Sequence, residues 1–125
     1  MTSSRELAIA AARAAASKNA RDILILDVSE LIMITDYFVI ASGRTDRQVR
    51  TITEEIERAV ANAGMKPVRR EGEREGRWAL LDFVDFVAHV FRDQEREYYG
   101  LERLWRDAPV VSWEDAGDSG RASQR

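Results

Sequence analysis

Tyr37-Phe38-Val39-Ile40-Ala41-Ser42-Gly43 runs directly into Arg44-Thr45-Asp46-Arg47-Gln48-Val49, and this junction decides the fold class. An unbroken apolar run closed by Ser-Gly has the pattern of a strand buried on both faces. Thr45-x-x-Gln48 then has capping-box spacing, which satisfies the free amides of a helix start. Val49, Ile52, Ile56 and Val60 follow at spacings of three, four and four. That is one apolar helical stripe, with Glu54 and Arg58 as an exposed i,i+4 pair. Gly64 stands where a glycine ends a helix. Pro67-Val68-Arg69-Arg70 supplies the next strand. Strand, helix and strand in this order predict a parallel crossover and an α/β domain.

Working outward toward the N-terminus, residues 23–28, Ile-Leu-Ile-Leu-Asp-Val, read as another strand buried on both faces. Before it, Ser3-x-x-Glu6 opens a helix rich in alanine that ends at Asn19, its small side chains suited to lying flat on a sheet. Leu31-Ile32-Met33-Ile34 is apolar but too short to be assigned. Toward the C-terminus, residues 71–77 form a polar connection with two glycines. Residues 78–83 and 87–91 read as antiparallel strands joined by a turn at Val84-Asp85. Asp93 is expected to cap a last helix that runs through Trp105, with Tyr98, Leu101, Leu104 and Trp105 on one face. The folded domain is expected over residues 1–108. Residues 109–125 lose periodicity and become rich in Gly, Ser and Asp, the composition of a disordered tail.

The chain has 125 residues, no cysteine and one histidine, His89. Disulfides and thiolate or paired-histidine metal sites are therefore excluded, and a reducing cytoplasm is the expected setting. A net charge of −3 argues against a generic nucleic-acid binder. No apolar run approaches the ~18–20 residues of a membrane span, and no signal peptide is read at the N-terminus.

Catalytic chemistry is not legible. Ser42-Gly43 before a helix invites a phosphate cradle, yet neither a Gly-x-Gly-x-x-Gly nor a Gly-x-x-x-x-Gly-Lys motif accompanies it. Asp82 and Asp85 are three apart across a turn, so they do not converge as two metal-binding carboxylates would. Asp82 is better read as pairing with an arginine. His89 lacks a nucleophile or carboxylate beside it in sequence, and reads as a hydrogen-bonded structural residue. No catalytic, metal or cofactor residue is assigned. Residues 69–77 interleave four arginines with three glutamates, a mixed hairpin suited to a protein partner more than to RNA. Trp78, Tyr98, Tyr99 and Trp105 combine aromatic bulk with neighbouring Arg and Asp, the composition of an interface hot spot.

Several segments together resemble the ribosomal silencing factor family, also called Iojap. They are residues 36–43, Asp46-Arg47-Gln48-Val49, Glu71-Gly72 with Gly76-Arg77-Trp78, Leu81-Asp82-Phe83, His89-Val90-Phe91, residues 95–99 and residues 101–105. The resemblance covers about residues 5–108, with the motifs in order and at the family's spacing. It implies a single α/β domain with a mixed sheet flanked by helices, nucleotidyltransferase-like in fold but without catalysis or cofactor. It also implies binding to ribosomal protein number fourteen of the large ribosomal subunit, blocked joining of the small subunit, and translation repressed when nutrients are short. Free members can be homodimers. Carried onto this chain, partner binding would rest on Trp78, Leu80 and Asp82 of a strand and on Tyr98, Leu101 and Trp105 of the closing helix. The acidic balance agrees, because it steers the chain toward basic ribosomal proteins and away from RNA phosphates. A nucleotidyltransferase-like enzyme and a homodimeric adaptor are the alternatives, the first weakened by the missing acidic pair.

Overall fold

The computed structural model of the chain describes residues 3–114. Its elements run α1 (Ser4–Ser17), β1 (Arg21–Asp27), β2 (Tyr37–Gly43), α2 (Asp46–Asn62), β3 (Arg69–Glu71), β4 (Trp78–Asp82), β5 (Phe86–Arg92), α3 (Asp93–Tyr99) and α4 (Leu101–Leu104). The strands form one mixed sheet in the order β1-β2-β5-β4-β3, with β2 and β5 parallel and the other neighbours antiparallel. The expected crossover from β2 through α2 to β3 is present, and its two strands run parallel. They are not neighbours, because β5 and β4 are inserted between them.

Both long helices start as their sequences dictate. Ser3 and Glu6 close a reciprocal capping box at α1. At α2, Thr45 Oγ1 accepts from the Gln48 amide at 3.0 Å. Gln48 does not return the bond to Thr45. Its Oε1 accepts from the Arg44 amide at 2.7 Å, and its Nε2 donates to the Lys18 and Asn19 carbonyls at 3.3 and 3.1 Å. One side chain thus ties the end of α1 to the start of α2. The Met65 and Gly64 amides bond back to Val60 and Ala61, the Schellman closure expected at Gly64.

The α1/α2 layer covers one face of the sheet. Ala8, Ala11, Ala12 and Ala15 are fully buried there, as are Val49, Ile52, Ile56 and Val60. Alanine on α1 lets that helix pack closely on both α2 and the sheet, and Ile25, Val39, Ala79, Leu81, Ala88 and Val90 form the sheet side of the same core. The surface pairing differs from expectation: Arg58 pairs with Glu55, one residue closer than Glu54.

The opposite face has a second, smaller core of Leu26, Val28, Phe38, Ile40, Phe91 and Ala108, closed by Leu101 and Trp105. A continuous helix to Trp105 is not formed. Gly100 sits at φ 55°, in the left-handed region open to glycine, and breaks the chain into α3 and the short α4. Nor does Asp93 cap the helix. Arg92 occupies the N-cap without a side-chain bond, while the Asp93 carboxylate pairs with Arg21 at 3.2 Å.

β1 is buried at Ile25 and Leu26 but exposed at Arg21 and Asp22, where its register shifts. Within the segment expected to be a tail, residues 109–113 run along the outside of β1. The Asp27 amide donates to the Pro109 carbonyl at 2.8 Å and the Val111 amide to the Ile25 carbonyl at 2.9 Å. Val111 is buried, and the Trp113 indole donates to the Ile23 carbonyl at 3.3 Å. The remainder of that segment, residues 115–125, lies outside the described residues.

Candidate functional site

Alternation along β4 sends Ala79 and Leu81 into the helix-covered core and Trp78, Leu80 and Asp82 to the other face. The register with β5 places Trp78 opposite Phe91, Leu80 opposite His89 and Asp82 opposite Val87. The three strand residues singled out from sequence therefore stand in one row on the face away from α1 and α2. Leu101 and Trp105 come to the same face from the chain end and pack on its smaller core. Trp105 meets Phe38 edge-on at 5.8 Å. Tyr98 does not join them. The break at Gly100 leaves it 79% exposed on α3, touching Tyr99 edge-on at 5.0 Å. Leu104, also expected on the common face, points to solvent.

Trp78 organises this region. Its ring stacks on Phe91 at 4.8 Å and lies 4.7 Å from Tyr99. Its indole N–H donates to His89 Nδ1 at 3.2 Å. That bond makes Nδ1 the acceptor, so neutral His89 carries its proton on Nε2. His89 is 6% exposed, and burial pushes its pKa down to about 4. It is the structural, hydrogen-bonded histidine that its sequence setting implied.

The sign of the resulting pH dependence follows. Between pH 6.5 and about 4 the unfolded chain takes up a proton on His89 that the folded chain refuses. Stability should therefore fall as pH drops through that window, by about 3 kcal/mol near its lower end. Chemical denaturation across the window checks this, with His89→Asn as the reference. The same slope in both proteins would refute the assignment.

Asp82 is held at the tip of the β4–β5 hairpin. Its Oδ1 accepts from the Val84 amide at 2.8 Å, and its Oδ2 lies 3.7 Å from Arg69. The arginine pairing agrees with the reading from sequence. Val84 has φ 74°, a left-handed conformation costly for a β-branched residue. It lines a cavity of about 300 Å³ together with Ile34, Leu80, Asp82, Phe38 and His89. The unassigned segment 31–34 forms neither helix nor strand. Met33 and Ile34 are 98% and 84% exposed, so apolar surface continues from the cavity to solvent. Sequence reading missed these residues. The available signal was an apolar run with neither helical nor strand length, which cannot be wholly buried.

The Ser42-Gly43 turn is already occupied by the chain itself. The Ser42 hydroxyl donates to the Arg21 carbonyl at 3.1 Å and accepts from Arg96 at 3.3 Å. Arg96 is held in turn by Glu102 at 3.1 Å. Much of the charge of the β3–β4 hairpin is also used internally. Arg70 grips Glu57 on α2, and this bond holds the Glu57 carboxyl below its usual range. Among the described residues, no group of three His, Asp or Glu could hold a metal ion, and no helix is long and apolar enough to cross a membrane.

The chain is similar to known proteins over most of its length. The ribosomal silencing factor of Bacillus subtilis strain 168 is 45% identical over 101 residues, which is 81% of this chain and 86% of that one. A mouse protein, "Mitochondrial assembly of ribosomal large subunit protein 1", is 33% identical over 91 residues, covering 70% of this chain and 40% of its own. A crystal structure of a Chromobacterium violaceum protein superposes with a TM-score of 0.82 at 30% identity, over 90% of this chain and 93% of that one. The family described as "Ribosomal silencing factor during starvation" matches residues 1–125. With the mixed sheet and its helices shared as well, this chain belongs to the ribosomal silencing factor family.

Proposed function

We propose that this protein binds the large ribosomal subunit through ribosomal protein number fourteen, sterically blocks joining of the small subunit, and so represses translation in the cytoplasm when nutrients are short. It does this without catalysis or cofactor. The observation that carries the reading is the half-open second face of the sheet, where Leu80 and Asp82, in one row with Trp78, line a cavity edged by the exposed apolar side chains of Ile34 and Val84, next to exposed Met33. Contiguous apolar surface of this kind, rimmed by polar groups, marks interaction sites. Leu101 and Trp105 continue the contact on the same face, and Tyr98, exposed on α3 beyond the break at Gly100, extends it past that face. A free chain covers the face with a second copy as a homodimer.

Sedimentation of cell extract through a sucrose gradient tests the reading. The tagged protein should comigrate with free large subunits and be absent from joined ribosomes and polysomes. Tyr98→Ala is the informative variant, because a residue 79% exposed can be removed with little cost to folding. It should weaken subunit binding by about 1–2 kcal/mol while the melting temperature stays put. Comigration with joined ribosomes would overturn the blocking role, and undiminished binding would remove Tyr98 from the contact.

A further inference from the structure

The cavity between the 31–35 segment and the β4–β5 hairpin contains more than apolar wall. Two polar atoms on it are buried and have no hydrogen-bond partner within the protein: His89 Nε2 and Thr35 Oγ1. Both residues are nine-tenths or more buried, at 6% exposure each. Leaving such groups unpaired carries their full desolvation penalty, so a ligand that satisfies them recovers that cost. Trp78 fixes which chemistry is missing. Because its indole N–H already donates to Nδ1, the free Nε2 is a donor and demands an acceptor. The Thr35 hydroxyl can serve the same acceptor or a neighbouring one. A charged acceptor is not called for, since Asp82 and Arg69 on the same wall pair with each other at 3.7 Å and leave no net charge there to hold an ion. A neutral carbonyl oxygen fits.

We infer that this cavity is a specificity pocket for a partner protein segment that inserts an apolar side chain between Ile34 and Val84 and presents a neutral carbonyl oxygen to His89 Nε2 and Thr35 Oγ1. The inference rests on the reading under Proposed function, and names the partner chemistry at one point of that face. It also gives His89 two roles through its two nitrogens. Nδ1 orients Trp78 inside the domain, and Nε2 reads the partner outside it.

Two substitutions separate those roles. His89→Asn keeps an acceptor near the position of Nδ1 and removes the outer donor. His89→Gln carries an amide nitrogen toward the position of Nε2. Binding of each purified protein to isolated large subunits is measured by cosedimentation, with circular dichroism and melting recorded alongside. His89→Asn should remain folded and bind about tenfold more weakly, and His89→Gln should regain part of that loss. Thr35→Val, equal in volume but without the hydroxyl, should lose about threefold or more. Undiminished binding by His89→Asn, or equal losses in the two folded His89 variants, would overturn the donor role. If His89→Asn does not fold, Thr35→Val decides, and wild-type affinity there overturns the pocket. An unaltered chain that fails to cosediment overturns the function proposed above and this inference with it.

Discussion

Gly72→Ala should destabilise the domain by about 4 kcal/mol or more, among the largest effects available to a single methyl group here. Gly72 begins the connection between β3 and β4 at φ 74°, where any residue with a Cβ is strained. Space is lacking as well. A Cβ built there would stand 2.0 Å from the Trp78 carbonyl oxygen, and a backbone atom paired in a sheet cannot swing aside as a side-chain tip can. Relief requires the β3–β4 hairpin to open, which would displace Trp78 with it. Denaturant unfolding monitored by circular dichroism measures the loss. A midpoint within a few tenths molar of wild type would show that the hairpin yields freely.

Trp78→Ala should cost about 3 kcal/mol of stability, the low end of the usual range for emptying an aromatic site, because the indole is partly buried. The indole supports Phe91 from one side and Tyr99 from the other, and its N–H holds His89 in one tautomer. In a domain stable by roughly 5–15 kcal/mol that is a large share of the total. Trp78→Phe separates fold from contact. It retains the stacking and leaves His89 Nδ1 without its donor, at a cost of about 1–2 kcal/mol. Calorimetry on the two variants should rank them wild type, Phe, Ala. Equal melting temperatures for all three would mean that the tryptophan contributes nothing to the second core.

What the sequence revealed, and what it hid, follows from the range of the forces involved. Capping at Ser3 and Thr45, the Val49-Ile52-Ile56-Val60 stripe and the closure at Gly64 depend on neighbours within a turn or two. They stand in the structure as their spacing implies, except that the Gln48 side chain bonds Arg44 and the end of α1 instead of closing the box at Thr45. Partner choice between distant groups was not legible. Arg58 could reach either of two adjacent glutamates, and Asp93 was drawn from the helix cap to Arg21, far away in sequence. Tertiary geometry alone placed β5 beside β2. Gly100 lies in an otherwise helical run, and one residue of left-handed backbone turned Tyr98 out while Leu101 and Trp105 turned in. Trp78, Leu80 and Asp82 were named through the family resemblance, and strict alternation in a strand is what sets them in one row. The cavity beside it was not, because it is assembled from segments some fifty residues apart.

The strip of chain along β1 has a consequence for how this protein can be recognised. One margin of the sheet is occupied by residues 109–111, whose backbone takes bonds that a visiting strand would need. The other margin is β3, three exposed residues long and charged at every position, Arg69-Arg70-Glu71. Short, charged or covered margins are how sheets refuse to be extended by another chain. Strand addition, which reads backbone and is tolerant of sequence, is thereby closed off as a mode of capture. A partner must then be selected through side chains and not through backbone, so that one altered residue on either protein is enough to be felt.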